Sequence, residues 1–323
     1  MGLGALVKAY EVLMATCNGE RFLDQQIVSI LGQTVLPERV LVADDRSSDH
    51  TLERLQYWRL HSTVPIEVLP PAGPERLGSC RNFERLLQAS SAPYVMLADQ
   101  DDLWDPDKAQ RLLHQMVVQE QYRGSEQPLL VHADLRLIDA EGQALAPSFH
   151  RYQGLHPTRQ SLLEIGLQNV VTGCSSLLNR ACVLRALPFP PEAVLHDWWL
   201  ALVAAQGSGL MYLSEPCVSY RQHRSNVVGA LGWRRQLLRR IKAGLFLNPL
   251  RSGKRLISPG LLQMRACLAR YGPPELSTCW ELLWSQSPWV RLRGAVGLGL
   301  RKHGLWRTAG FYAVLLCCRP SGH

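Results

Sequence analysis

Three things are scarce in this sequence: paired cysteines, long apolar runs and, near the end, acidic side chains. The nine cysteines are scattered and none form a CxxC pair. This pattern argues against a zinc site or a disulfide framework and predicts a reduced, cytoplasmic protein. The longest apolar run near the end, Gly310 to Cys318, is too short to cross a bilayer.

Acidic residues are almost absent from the last hundred positions. Residues 224–323 hold 17 Lys and Arg against only Glu275 and Glu281, a net charge of +15, whereas residues 1–223 carry −7 of the total of +8. Such a basic region indicates an anionic partner. Nucleic acid is not expected, because no nucleic-acid-binding motif accompanies the charge.

The change in composition places a domain boundary between residues 1–227 and 228–323. Within the second part, residues 233–242 put apolar side chains on one face of a helix and basic ones on the other. Two interpretations follow. The region is an extension that lies on the anionic inner face of the cytoplasmic membrane, or it is a helical subdomain whose solvated face is basic.

The first half alternates short apolar runs with amphipathic segments. Strands are predicted at 10–15, 39–43, 66–69 and 94–98, and helices at 21–31, 51–61, 80–89 and 106–121. This alternation predicts an α/β fold with a mostly parallel sheet and helices on both faces.

The most informative segment is the acidic run that follows the strand at 94–98. Three carboxylates, Asp99, Asp101 and Asp102, occur within four residues. They repel one another unless a cation lies between them, and Mg²⁺ or Mn²⁺ prefers oxygen ligands. From this segment alone, a solvated loop that caps the next helix explains the pattern equally well.

Polar clusters also follow the first two predicted strands. Thr16 and Asn18 lie in a turn rich in small residues, and Asp44-Asp45 end the second strand. In an open α/β sheet, such positions border the ligand crevice. Each cluster taken separately is equally compatible with a turn or a helix cap.

Together, these segments resemble the family 2 glycosyltransferases of the GT-A fold. The motifs are MATCNGERFLDQQIVSILGQT, VLVADDRSSDHT, RNFERLL and YVMLADQDDLWDPDKA, followed in matching order by NVVTGC, HDWW and YRQHRSN. The set is most similar to the bacterial rhamnosyltransferase-like branch, which builds cell-surface polysaccharides. The resemblance covers residues 10 to 228 and implies a GT-A mixed sheet flanked by helices, with a basic α-helical extension after it.

The resemblance also implies roles for individual residues. Asp197 matches the catalytic base, Asp101 the metal-binding end of the DxD motif with Asp102 beside it, and His223 the histidine that completes the metal site. The predicted nucleotide and sugar contacts are Thr16, Asn18, Asp44, Asp45, Asp99 and Gly173, with Arg81 and Arg221 on phosphate oxygens. Trp198 and Trp199 offer flat faces for a sugar, although core packing explains at least one of them.

The expected reaction is an inverting transfer from a dTDP- or UDP-sugar to a glycan or a lipid-linked acceptor, and the branch resemblance implies dTDP-L-rhamnose as the donor. It requires a base for the acceptor hydroxyl and a divalent cation, Mg²⁺ or Mn²⁺, for the leaving diphosphate. Two alternatives are a sugar nucleotidyltransferase and a catalytically silent sugar-nucleotide-binding protein. The first lacks its glycine-rich, basic triphosphate loop here, and the presence of both Asp101 and Asp197 argues against the second.

Overall fold

The computed structural model describes residues 9–223 and 249–317. The predicted boundary at 227/228 and the amphipathic segment at 233–242 therefore lie outside the described residues. Within the described ranges, a seven-stranded and a four-stranded sheet are surrounded by helices.

The predicted alternation of strands and helices is confirmed up to residue 123. The elements there are β1 (Tyr10–Thr16), α1 (Leu23–Leu31), β2 (Arg39–Asp44), α2 (Thr51–His61), β3 (Ile66–Val68), α3 (Gly78–Ala89), β4 (Tyr94–Asp99), β5 (Leu103–Trp104) and α4 (Lys108–Arg123). Strands β1 to β4 are parallel, in the order β4-β1-β2-β3.

The next part of the chain completes the large sheet and builds the small one. Its elements are β6 (Leu130–Ala133), β7 (Arg136–Ile138), β8 (Ala144–Ala146), α5 (Phe149–Gln153), α6 (Leu162–Leu167), β9 (Ser176–Asn179), α7 (Arg180–Ala186), α8 (His196–Ala205), β10 (Leu210–Leu213) and β11 (Val218–Arg221). The large sheet has the order β10-β6-β9-β4-β1-β2-β3, and the small sheet β5-β11-β7-β8. Strand β9 runs antiparallel to both neighbours, so the sheet is mixed.

Strands at the centre of the large sheet are buried on both faces. In β1, Leu13 belongs to one apolar cluster, whereas Val12 and Met14 belong to the other. In β4, Val95 and Met96 divide in the same way. Because side chains alternate between faces, such strands are apolar on both sides through their centres. The polar residues that follow these apolar stretches therefore mark the carboxyl edge of the sheet, where the predicted site residues lie.

Four helices follow residue 248: α9 (Pro249–Tyr271), α10 (Pro274–Glu281), α11 (Pro288–Gly297) and α12 (Leu305–Cys317). Buried side chains such as Met264, Trp280 and Phe311 belong to the same apolar cluster as Trp199 of α8. The helices thus share one hydrophobic core with the sheet. No helix in the described ranges is both long and apolar enough to span a membrane.

Candidate active site

The acidic loop connects the two sheets. Asp99 ends β4 and β5 begins at Leu103. Between them, Gln100 accepts a hydrogen bond from the Cys17 backbone N–H at 2.8 Å and donates to the Cys17 carbonyl at 3.0 Å. Gln100 thereby joins the acidic loop to the loop after β1. A Cβ at Gly19 would lie 2.2 Å from Oε1 of Gln100, so this approach requires glycine.

The structure brings Asp101 and His223 together. Nε2 of His223 lies 2.6 Å from Oδ2 of Asp101, across 122 residues of sequence. The two side chains are only 13% and 12% exposed. A carboxylate and an imidazole in contact at the sheet edge are suitable ligands for one cation.

Arg221 holds the acidic loop in place. Its backbone N–H donates to Oδ1 of Asp102 at 3.0 Å, and its Nε donates to the Asp101 carbonyl at 2.8 Å. The other guanidinium nitrogens donate to the Ala140 carbonyl and to Oε1 of Gln25. The guanidinium of Arg221 thus lies on protein acceptors and positions the acidic loop, and its predicted phosphate contact stays a prediction.

Asp99 and Asp102 are crowded together. Ligand atoms of Asp99, Asp102 and Cys174 all lie within 4.8 Å of one another. Burial, followed by the charge of Asp101, raises the pKa of Asp99 to about 7 and that of Asp102 well above its usual range. Asp102 is fully buried, and its Oδ2 has no hydrogen-bond partner in the described part of the chain. Negative charge in this cluster is therefore incompletely compensated.

A buried lysine lies beside the cluster. Nζ of Lys108 donates to the Cys174 carbonyl at 2.7 Å and lies 3.1 Å from the centre of the Trp104 ring. Burial lowers the pKa of Lys108 to about 8, a change that the nearby carboxylates oppose. Lys108 is not among the predicted site residues, although it is the next-to-last residue of the same quoted motif, YVMLADQDDLWDPDKA.

Asp197 lies at the start of α8 and faces the acidic loop. Burial raises the pKa of Asp197 to about 6, and the backbone N–H groups of Trp198 and Gly173 oppose this rise. Its Oδ1 is buried and has no hydrogen-bond partner among residues 9–223 and 249–317. The charge of Asp197 also raises the pKa of Asp99. Asp197 therefore lies at the same site as the acidic loop. Its own carboxylate is poorly solvated and has a raised pKa.

A histidine that the prediction missed restricts the position of Gly173. The His196 ring stacks on Phe83 at a centroid distance of 3.9 Å. A Cβ at Gly173 would lie 2.6 Å from Nε2 of His196. Burial lowers the pKa of His196 to about 3, so its ring is neutral at physiological pH. Glycine at 173 is thus required for the close contact between this loop and α8.

The residues after β1 and β2 form a hydrogen-bonded network at the other end of the cleft. Oγ1 of Thr16 donates to the Asp44 carboxylate at 2.8 Å, and this carboxylate also accepts from the backbone and side chain of Ser47. Exposed Asn18, with a φ of 52°, accepts from the Ser48 backbone at 2.8 Å. The predicted nucleotide contacts thus lie side by side.

Asp45 caps the start of α3. Its two carboxylate oxygens accept from the backbone N–H groups of Leu77 and Gly78 at 2.7 and 2.8 Å. It is buried, so this capping role accounts for both oxygens. The structure places it next to Asp44, and its predicted nucleotide contact stays a prediction.

Arg81, Trp198 and Trp199 mostly contact protein. Arg81 donates to Glu84 and to the carbonyls of Phe189 and Pro190. Nε1 of Trp198 donates to the Ile165 carbonyl at 2.7 Å, and a Cβ at Gly260 of α9 would lie 2.3 Å from its ring. Trp199 is fully buried. The core packing expected for at least one of the two tryptophans is therefore the role of Trp199.

The described residues fit a hard divalent cation. Asp101 and His223 offer an oxygen and a nitrogen donor in contact with each other. Nearby, the raised pKa values of Asp99 and Asp102 and the unpartnered Oδ2 of Asp102 indicate negative charge without enough compensation.

A family model described as "Glycosyl transferase family 2" matches residues 11–121, which run from β1 through the acidic loop into α4. Residues 11–121 of this chain thus match the family 2 glycosyltransferases. The match contains the two carboxylate-bearing strand ends, whereas Asp197 and His223 lie beyond it.

Two curated relatives extend the similarity across two-thirds of this chain. The dTDP-rhamnosyl transferase RfbG of Shigella flexneri is 26% identical over 228 residues, which cover 67% of this chain and 74% of that protein. The UDP-Glc:alpha-D-GlcNAc-diphosphoundecaprenol beta-1,3-glucosyltransferase WfgD of Escherichia coli is 22% identical over 220 residues, 67% of this chain and 78% of that protein.

A solved structure supports the fold over nearly the whole chain. The mannosyltransferase PcManGT of Pyrobaculum calidifontis, in complex with GDP-Man and Mn²⁺, superposes with a TM-score of 0.52 at 16% identity. The superposition covers 97% of this chain and 87% of that one. The expected GT-A architecture is therefore confirmed.

Proposed function

We propose that this glycosyltransferase is an inverting, divalent-metal-dependent enzyme with Asp197 as its base. The observation that supports this most directly is the electrostatic state of Asp197. Burial raises its pKa to about 6, and its buried Oδ1 has no hydrogen-bond partner among the residues that the structure describes. A general base is most effective when its pKa lies near the working pH.

In the proposed reaction, the acceptor hydroxyl oxygen attacks the anomeric carbon of the donor. As the new C–O bond forms, the bond from that carbon to the diphosphate breaks, and the hydroxyl proton passes to Oδ1 of Asp197. The backbone N–H groups of Trp198 and Gly173 favour the ionised form of this carboxylate before the transfer. One displacement inverts the anomeric centre.

Asp101 and His223 are the residues proposed to hold the cation, with Asp102 beside them. Bound there, Mg²⁺ or Mn²⁺ would neutralise charge on the departing nucleoside diphosphate. Arg221 keeps the Asp101 backbone and the Asp102 side chain in position. Thr16, Asn18, Asp44, Asp45 and Asp99 are proposed to face the nucleotide, and Gly173 the sugar.

The donor is proposed to be dTDP-L-rhamnose, with UDP-sugars as the other candidates. The similarity to RfbG supports the first and the similarity to WfgD the second. The diphosphoundecaprenol in the description of WfgD supports a lipid-linked glycan acceptor here. We therefore place the enzyme at the inner face of the cytoplasmic membrane, in polysaccharide synthesis.

The test is release of nucleoside diphosphate from dTDP-L-rhamnose, UDP-glucose, UDP-GlcNAc and GDP-mannose. Each donor is incubated with Mg²⁺, Mn²⁺ or EDTA, with and without membrane extract as acceptor. We expect one donor to give release that EDTA abolishes and that the Asp197→Asn variant lacks. No release from any donor, or equal release in EDTA, would contradict the proposal.

A further inference from the structure

Helix α11 exposes apolar side chains on one face. Trp289, Arg293 and Val296 follow an i, i+4, i+7 spacing, and all three are exposed, Trp289 by 67%. Val290 is also exposed and borders this row. Arg293 is the one charged side chain on this face.

Helix α12 exposes a second apolar face. Leu305 and Trp306 at its start are 87% and 67% exposed, and Ala309 continues the exposed row. The opposite side of the helix is buried through Phe311 and Leu315. A helix on the surface of a water-soluble protein ordinarily has polar residues on its exposed side. The exposed side of α12 is instead apolar.

The two helices form one unit. Nε of buried Arg291 in α11 donates to the Leu315 carbonyl of α12 at 2.7 Å. The Tyr312 hydroxyl donates to the Leu300 carbonyl in the connecting loop at 2.8 Å. We call the exposed residues of this unit the hairpin face: Trp289, Val290, Arg293, Val296, Arg301, Leu305, Trp306 and Ala309.

The two helices of the hairpin face and their connecting loop carry charge of one sign. From residue 282 to the end of the chain there is no Asp or Glu. In the same stretch, Arg293 and Arg301 are exposed. The nearest preceding carboxylate, Glu281, forms a two-bond ion pair with Arg265. Glu164 is also ion-paired, with Arg159, which donates to the Arg301 carbonyl at 3.0 Å. An exposed apolar surface with an excess of cations is complementary to a negatively charged one that also admits tryptophan.

We propose that the hairpin face binds the surface of an anionic lipid bilayer. Tryptophan is favoured at the boundary between headgroups and acyl chains, where its ring is apolar and its N–H stays hydrated. Arginine is attracted by anionic headgroups within a Debye length of the surface. Two such helices side by side satisfy the requirements of a surface-bound, non-spanning contact.

A series of packed helices connects the hairpin face to the proposed base. Helix α12 packs against α9, and α9 packs against α8, whose Trp198 ring contacts Gly260 of α9. Asp197 precedes that tryptophan. Binding of the hairpin face would therefore set the distance of Asp197 from the bilayer. The relevance to a lipid-linked acceptor rests on the proposed function, whereas bilayer binding does not.

The experiment is sedimentation of the full chain with vesicles of phosphatidylcholine, alone or with an equal part of phosphatidylglycerol. Trp289→Ser/Trp306→Ser removes the aromatic anchors, and Arg293→Gln/Arg301→Gln removes the charges. The matched controls are Leu60→Ser/Tyr122→Ser and Arg59→Gln, which change equally exposed side chains of α2 and α4. Circular dichroism and nucleoside diphosphate release without vesicles verify folding and the site.

We expect the wild type to bind the anionic vesicles. Both hairpin variants should bind these vesicles more weakly, by a factor of about ten or more. The controls should bind like the wild type, and all variants should keep release without vesicles. Three results would overturn the proposal. They are no binding by the wild type, equal binding by the hairpin variants, and a wild-type dimer that the tryptophan variant converts to a monomer without any vesicle binding. If the wild type binds vesicles but releases no nucleoside diphosphate, the proposed function is contradicted and the proposal of bilayer binding is not.

Discussion

Two acidic clusters stand at the same edge of the large sheet, and their surroundings differ. Asp44 and Asp45, after β2, accept hydrogen bonds from hydroxyl and backbone groups nearby. Asp99 and Asp102, around the end of β4, are crowded, have raised pKa values, and leave one buried oxygen unpartnered. The same sequence pattern thus supports a satisfied loop in one place and uncompensated charge in the other.

The comparison shows that a carboxylate run alone does not identify a cation site. What distinguishes the two clusters is the supply of donors. Ser47 lies three residues after Asp44, and the start of α3 presents N–H groups to Asp45. At Asp102, the backbone N–H of Arg221 donates to Oδ1, and Oδ2 has no hydrogen-bond partner in the described part of the chain.

The largest effect is expected at Asp197, which shares the raised pKa of the β4 cluster. Asp197→Asn should lower kcat by ~10²–10⁴ with little change in donor KM, because a base is lost while the shape is kept. In the wild type, kcat/KM should fall about tenfold per pH unit below about pH 6, since only the ionised form accepts a proton. A variant that keeps turnover, or that keeps this acidic limb, would contradict the assignment.

The next effect concerns Asp101. Asp101→Asn should weaken Mn²⁺ binding, measured by calorimetry or electron paramagnetic resonance. It should also reduce turnover by about a hundredfold or more, because a cation contributes several kcal/mol at a departing diphosphate. Asp107→Asn, at a half-exposed carboxylate just after the loop, is the matched control. Equal Mn²⁺ affinity in the two variants would remove Asp101 from the proposed metal site.

Substitutions in the two clusters should have different effects on the free energy of unfolding. Asp45→Asn should lower the free energy of unfolding by ~1–2 kcal/mol, because a cap that accepts two N–H groups is impaired. Asp102→Asn should leave it unchanged or raise it. Burial opposes ionisation of Asp102, so folding is unfavourable for its charged form, and asparagine still accepts from Arg221. Urea denaturation at neutral pH measures both. Equal destabilisation would show that the two clusters do not differ as described.

The smallest effect is expected where the two clusters are joined. Gln100→Ala removes both hydrogen bonds to Cys17. It should raise donor KM about fivefold, for a net loss of ~1 kcal/mol, with kcat little changed. Gln56→Ala, on the exposed side of α2, is the control. An unchanged KM would mean that the nucleotide loop keeps its position without the acidic loop.

Local elements followed closely from the sequence. The eight predicted strands and helices up to residue 121 match the observed ones to within two residues at each end. Strands buried on both faces are continuous apolar runs, and their neighbours have helical periodicity, so both signals are local. The antiparallel insertion of β9 and the small sheet were not predicted, because strand pairing depends on distant partners.

The candidate site shows the same division between features that are local in the sequence and features that depend on distant segments. Residue type and order point to Asp99, Asp101, Asp197 and His223, whose roles stay predictions, whereas the environments of these side chains do not follow from the sequence. The sequence by itself determined which carboxylates end the strands, since a buried strand can become polar only at its edge. Only the tertiary structure decided which carboxylates are satisfied and which are crowded. That depends on donors from distant segments, Arg221 for Asp102 and Gly173 for Asp197, and on burial, which raises their pKa values.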